Sequence, residues 1–292
     1  MRDYIIMTDS CCDLSQQEVE ELDLTVLPLS FTIEGKTLLN TPDHADMSPE
    51  EFFAKIAAGA DCTTAAVNVG QFTDAMEKAL QEGKDILCVC FSSALSTTYQ
   101  SACIAAEDLR EKYPEAKILV IDSLSASRGQ GMLLYRAVRE RREKNLTIDE
   151  LDAYVRSIIQ SQCHWFIVDD LNHLKRGGRV SSTAALVGTM LGIKPVMHTD
   201  SEGRLTPVSK ARGTKAALRA LVDKVGEIGV EPEKNQPMLI CHANCPESVE
   251  YVKGLLKERF GVTDVRDDFI GPVIGAHTGC GTLGLFFVGT ER

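Results

Sequence analysis

Short apolar runs alternate with segments whose apolar residues recur every three or four positions, and this alternation predicts the elements. YIIMTD (4–9) reads as a strand, and DLSQQEVEELD after it as a helix with a capping residue at its start. LTVLPLSFTIEGKTLLN (24–40) reads as two strands around a turn at Glu34 and Gly35. In MSPEEFFAKIAAG (47–59), Ser48 is the N-cap, Pro49 the first helical residue and Glu51 stands three after the cap, a capping-box pattern. A helix (QFTDAMEKALQEG), a strand (DILCVCF), a helix (TTYQSACIAAEDLREKY), a strand (KILVIDS) and a helix (SRGQGMLLYRAVRERREKN) follow. Such an order predicts an α/β fold: a mostly parallel sheet with helices on both faces. Ligands gather at the carboxyl ends of such strands. Asp9-Ser10, Ser92-Ser93 and Asp122-Ser123 all fall at these ends.

The pattern then changes. HWFIVDDLNHLKRGGRVS runs from a strand into a basic, glycine-containing loop, and TAALVGTMLGI within 182–193 reads as a helix with scarcely a polar face. Such a helix is buried on all sides or lines an apolar cavity. KPVMHTDSEGRLTPVSKAR reads as a hairpin turned at 200–203. A helix (213–228), the strand MLICHAN, a helix (246–260) and the strands VTDVRDDFIG and TLGLFFVG complete the chain. This mixed order predicts a second, α+β domain at 164–292 after an α/β domain at 1–163.

Composition leaves that picture intact. A chain of 292 residues has room for two domains, and 44% apolar with 25% charged residues is ordinary for a globular protein. A net charge of −11 argues against nucleic acid or an anionic membrane as the main partner, so any basic cluster here needs its own reason. Neither a secretory signal nor a run near the roughly 18 apolar residues of a membrane span is present, so a cytoplasmic location is expected. The ten cysteines are expected as reduced thiols, with Cys88 and Cys90 on one strand face. Cys241, His242 and Cys245 in CHANC lack a recognised zinc spacing, and a structural role is expected there.

Candidate chemistry begins with FSSALSTTYQ (91–100), where five hydroxyl side chains stand between a strand and a helix. A single serine would cap the helix, contributing about 1 kcal/mol. Five exceed that need, and with free helix-start N–H groups they suit an anion. No G-x-S-x-G elbow marks a nucleophile, although six histidines leave a spatial Ser–His pair open. His277, in IGPVIGAHTGCGTLG, is either a donor to an anion or a satisfied loop histidine; a thiolate pair with Cys280 is a lesser reading. KRGGR (175–179), with Lys210 and Arg212, is either solvated surface charge or a docking face for an acidic partner or phosphate, and Gly177-Gly178 suits a phosphate-binding turn.

IIMTDSCCDL, SSALSTTYQSA, VIDSLSASRGQG, LKRGGRVSSTAALVGTMLGIKPV, the KAR of 210–212 and GPVIGAHTGCGTLG, in this order along the whole chain, resemble the DegV family, the fatty-acid-binding proteins that work with bacterial fatty acid kinase. The resemblance implies two α/β-type domains with a lipid head group between them and its tail in a tunnel, lined by the apolar helix. It implies a carboxylate held by Thr64, Ser92, Ser93 and His277, with Arg176, Arg179 and Arg212 facing the kinase or its phosphate. It implies a carrier rather than an enzyme. The ligand would be a long-chain fatty acid, with no other cofactor, no metal, no nucleic acid and at most transient membrane contact. The chain departs from the family where Thr64-Ala65-Ala66-Val67-Asn68 replaces Thr-Ser-Gln-Pro-Ser, where Ser96-Thr97-Thr98-Tyr99 replaces SGTY, and where Thr278-Gly279-Cys280-Gly281 replaces TGPG. Two alanines in place of polar residues bear either on the head-group contacts or on which acyl chain is preferred. The alternative is a hydrolase or phosphatase that uses Ser93 or Cys280 with His277.

Overall fold

Side chains alternate across a strand, so a strand apolar at every position builds two cores at once. The computed structural model describes residues 2–181 and 192–292. Its first sheet is wholly parallel, in the order β2 (Leu24–Leu27), β1 (Tyr4–Asp9), β6 (Asp85–Cys90), β7 (Ile118–Asp122). Ile86, Cys88 and Cys90 face one core, with Phe72 and Met76 of α3 (Val69–Gln81) and Ala102 and Leu109 of α4 (Thr98–Lys112). Leu87 and Val89 face the other, with Leu133 and Val138 of α5 (Arg128–Lys144) and Leu151 and Val155 of α6 (Ile148–Ile158). The Sγ atoms of Cys88 and Cys90 lie 3.5 Å apart on their shared face.

The segment 24–40 makes three strands rather than two. Pro28 has no N–H for a ladder, and the chain leaves the first sheet there. After it, β3 (Ser30–Ile33) joins a small antiparallel sheet in the order β4 (Lys36–Leu39), β3, β5 (Cys62–Ala65). Beside this sheet lies α2 (Pro49–Ala57), whose N-cap Ser48 accepts from the Glu51 N–H as expected. Four residues of CTTA are too few to show a period, which hid β5. The helix α6 is an addition to the predicted elements, and Thr147 and Glu150 form a capping box at its start.

The second sheet has the order β10 (Leu205–Arg212), β9 (Ile193–Thr199), β8 (Gln162–Ile167), β13 (Leu283–Val288), β11 (Met238–His242), β12 (Val265–Phe269). It is antiparallel except between β11 and β12. One face is covered by α8 (Thr214–Ile228) and α9 (Pro246–Phe260). Against the other lies α5, whose Gly129 stands so near the His164 ring that a Cβ would come within 2.0 Å of it. KRGGR is only partly a loop: α7 (Leu171–Arg176), capped by Asp170, runs into it. The stretch 182–193, expected as an apolar helix, lies outside the described residues apart from Gly192 and Ile193, and Ile193 opens β9.

One buried ion pair fastens α5, which lies against both large sheets, to α1 (Gln16–Leu22). Arg128, 1% exposed, donates to both carboxylate oxygens of Glu18 in α1, at 2.6 and 2.9 Å. Removing one member of a buried pair strands the other charge. Glu18→Gln is therefore expected to cost about 3 kcal/mol of unfolding free energy in urea titrations. A loss below about 1 kcal/mol would show that water already reaches the Arg128 guanidinium.

Candidate functional site

The site forms where the small sheet, the first sheet's strand ends and a short late helix meet. Thr64 lies on β5, paired with Phe31 of β3. Opposite it stands α10 (Pro272–Thr278), which begins with Pro272 in the first helical position after the N-cap Gly271. Its glycine-rich sequence predicts a loop, and packing overrides that weak propensity. A Cβ on Gly275 would lie 2.8 Å from Phe52 and 2.9 Å from Phe53, so glycine lets the helix settle on the aromatic face of α2. His277 is thereby held in the last turn of a helix, with Nε2 2.9 Å from Thr64 Oγ1.

Space for the imidazole comes from Gly177. A Cβ there would fall 2.2 Å from His277 Nδ1. Gly177 was expected to suit a phosphate-binding turn; its structural task is to let the ring lie against the backbone. Burial, and then the Arg179 cation, push the imidazole pKa down from 6.5 to about 4. His277 is thus neutral at physiological pH. A histidine so lowered takes its proton more readily when unfolded, so this group's stability contribution is complete above pH 6.5 and is lost as pH falls toward 4.

Thr64 and His277 border a cavity of about 380 Å³. Its walls include Leu29, Phe91, Leu95, Leu174, Leu205 and Val273, and its polar groups include Ser93, Ser96, Thr97 and Arg179. Among the described residues its lining holds one cation, Arg179, and no carboxylate. Arg179 Nε donates to Leu95 O at 3.1 Å, and its Nη1 donates to Gly177 O, which aims the guanidinium at the serine-rich loop. The cavity sits beside the β1–β6 seam, where the first sheet's strand order reverses and open α/β sheets bind ligands. Asp9 fastens that seam by accepting from Phe91 N at 2.7 Å and Cys11 N at 3.0 Å.

The two serines part company. Ser93 is exposed and lines the cavity, its N–H donating to Asp122 Oδ1 at 3.1 Å. Ser92 is fully buried and outside the lining; its hydroxyl donates to Gly203 O at 2.9 Å and accepts from Ala94 N at 3.3 Å. It holds the tip of the β9–β10 hairpin, two residues before Leu205 enters the cavity wall. Ser96 Oγ accepts from Thr98 N at 3.2 Å, an ordinary helix-start contact.

On the far side of the Thr64–His277 pair lies a second cavity, of about 480 Å³, lined by His173, Arg176, Asp61 and Thr63. Thr64, Arg179 and His277 border both cavities and form the partition between them. Arg176 donates to His173 Nδ1 at 3.1 Å. Arg212, exposed and paired in register with Ile193 at the end of β10, lines neither cavity. For covalent chemistry the arrangement is unfavourable. His277 Nε2 is engaged by Thr64. The Cys280 thiol donates to Phe53 O at 3.5 Å, and burial pushes its pKa up. Among the described residues no group of three or more His, Cys, Asp or Glu side chains could hold a metal.

Fold and site together define an α/β protein with a largely apolar cavity that carries hydroxyls, a neutral imidazole and one arginine at its polar end. A model of the uncharacterised DegV protein family matches residues 4–290, so the chain belongs to the DegV family. A DegV domain-containing protein of Clostridium perfringens is 40% identical over 292 residues, covering 100% of this chain and 99% of its own. YteA of Lactococcus lactis is 38% identical over 98% of this chain and 97% of its own. Among solved structures, a fatty-acid-binding DegV family protein from Thermus thermophilus superposes with a TM-score of 0.86 at 29% identity, covering 99% and 100% of the two chains. A fatty-acid-binding DegV family protein from Streptococcus agalactiae gives 0.85 at 26% identity, covering 100% of both.

Two cavity features escaped sequence reading: Gly177 as the seat of the imidazole, and Arg179 inside the site as well as on its outer side. Imidazole NMR tests the first. In the native chain His277 is expected to titrate near pH 4. Gly177→Ala should displace the ring toward water, break its Thr64 contact and move the midpoint toward 6.5. Unchanged His277 resonances in that variant would contradict the close approach.

Proposed function

We propose that this protein binds a long-chain fatty acid between its 1–163 and 164–292 units and presents the carboxylate to a fatty acid kinase for conversion to acyl phosphate. The observation that carries the reading is the cavity lining: apolar walls, a cluster of neutral donors, one cation and no carboxylate among the described residues. An anion with an apolar tail is what such a lining accepts. The fatty-acid-binding relatives from Thermus thermophilus and Streptococcus agalactiae support the choice of ligand. Burying about a dozen methylenes at about 0.8 kcal/mol each gives near 10 kcal/mol before ordering costs. The head group therefore needs orientation more than brute charge.

In this reading the carboxylate takes the place of the Thr64–His277 contact. It accepts from the Thr64 hydroxyl and the His277 N–H, with Ser93 on the apolar side of the partition. Ser92 supports the wall. The second cavity then serves as the way in for the kinase's phosphoryl group. A carboxylate oxygen attacks the γ-phosphorus of ATP, the bond to the β–γ bridging oxygen breaks, and ADP leaves. Arg179 beside the head group and Arg176 beyond it offset the charge of the acyl phosphate, and Arg212 on the exposed strand end belongs to the docking face. A cytoplasmic location follows, because ATP and the kinase are there.

Lipid extraction and native mass spectrometry of the purified protein are expected to show a bound acyl chain. An empty protein that also fails to take up fatty acids in solution would overturn the reading. Thr64→Val and His277→Ala should each weaken binding about tenfold, the worth of one hydrogen bond to a charged group. With a fatty acid kinase and ATP added, Arg176→Ala should slow acyl phosphate formation while leaving fatty-acid affinity unchanged. Equal turnover by both proteins would remove Arg176 from the phosphoryl side.

A further inference from the structure

The acidic residues of TDSCCD, at the end of β1, have no part in the proposed function, yet one of them reaches the support of His277. Asp13 sits in a left-handed turn at φ 47°, with its side chain buried. One oxygen, Oδ1, accepts the Gly271 N–H at 3.1 Å, and Oδ2 accepts the Ser127 hydroxyl. Its carbonyl accepts from Arg128 Nη1 at 3.2 Å. Gly271 is the N-cap of α10, and a Cβ there would lie 2.6 Å from Asp13 Oδ1 and 3.0 Å from Asn40 Oδ1. The N-cap of α10 is thus pressed directly onto a buried carboxylate.

From Gly271 the helix runs to His277 without a break. Along the way Gly275 rests on Phe52 and Phe53, and at its end the imidazole fills the gap left by Gly177. Contacts at both ends leave a short rigid bar with little freedom to adjust. We infer that Asp13 is the positioning residue for His277, acting through the Gly271 N–H and the body of α10. The inference rests on the proposed function only for its consequence, that Asp13 tunes the hold on the ligand's head group.

The environment of Asp13 makes this support responsive to pH. From its own loop Cys11 and Cys12 lie near it, with Asn40 and His44 from the loop after β4, the N-cap Ser127 and Arg128 at the start of α5, Cys241 from β11 and Asp268 from β12. Burial pushes the Asp13 carboxyl up from 3.8 to about 7, against the lowering effect of its bonds to Ser127 and Gly271 and of the Arg128 charge. The ionised carboxylate is the stronger acceptor for Gly271. A raised carboxyl pKa also means that the folded state binds more protons than the unfolded chain. Ionisation therefore lowers global stability as pH rises from about 4 to about 7, while it tightens the hold on α10.

Two readouts on ligand-free protein test the positioning role: the His277 imidazole resonances, and hydrogen exchange of 271–278. Asp13→Ala is expected to shift those resonances and to speed that exchange about tenfold, the loss of one charge-assisted hydrogen bond. Asp13→Asn keeps an acceptor for Gly271 and should restore both. It should also flatten the change in fatty-acid affinity expected of the native protein between about pH 6 and about pH 8. Should Asp13→Ala not fold, Gly271→Ala pushes on the same contact from the other side and should shift His277 likewise. Native-like resonances and exchange in a folded Asp13→Ala or Gly271→Ala protein would overturn the inference. Because these readouts need no ligand, they stand or fall apart from fatty-acid binding itself.

Discussion

The rest of the structure depends on carrying polar groups through the seam between the two large sheets. The start of α5 runs along that seam, and burying polar groups there is costly unless they are paired; most are, while Arg128 Nε, Gln130 Oε1 and His164 Nε2 are buried without a hydrogen-bond partner among the described residues. Ser127 gives its hydroxyl to Asp13. Arg128 is matched by Glu18. Gln130 donates to Thr8 at 2.9 Å and to Asp9 at 3.3 Å. Between them Gly129 meets His164, and a Cβ on Gly131 would lie 2.7 Å from Leu14. The spacing of SRGQG is therefore an alternation of polar links and close approaches. Asp9 then holds the β1–β6 seam and Asp13 holds α10, so one network sets the strand ends and the histidine helix against each other.

Placement of charge follows from the same geometry. The protein carries a net charge of −11, yet the described lining of the first cavity holds no acid. Its cation, Arg179, is aimed by two backbone carbonyls rather than by a carboxylate, which leaves its field directed at the cavity. That same field and burial keep His277 neutral. A neutral imidazole next to an arginine can donate a hydrogen bond without adding a second full charge. In the proposed reading, an anion there would be oriented by hydroxyl and imidazole beside the Arg179 charge.

Much of the fold was legible because long periodic segments declare themselves. The parallel sheet, α3, α4, α5, α8, α9 and the β9–β10 hairpin all follow from apolar spacing and capping residues. What failed were short elements. β5 has four residues, and α10 has seven with a glycine inside, so neither repeats its period. These two elements carry Thr64 and His277. Ser92 and Ser93, adjacent in sequence, looked equivalent; the chain's turn at Phe91 sends one hydroxyl to Gly203 and leaves the other at the cavity.

By itself the sequence determined the class of fold, the strand ends at which a site could lie, and which residue types were available there. Hydrophobic period and capping are local properties, readable within a dozen residues. Tertiary structure decided which of those residues meet. Thr64 and His277 are 213 positions apart, and Asp13 and Gly271 are 258 apart. Such pairings depend on how sheets and helices pack, and on the few glycines whose missing Cβ lets them close. Nothing in the local pattern distinguishes Gly177, which seats an imidazole, from Gly178 beside it. Only the packed neighbour makes the difference.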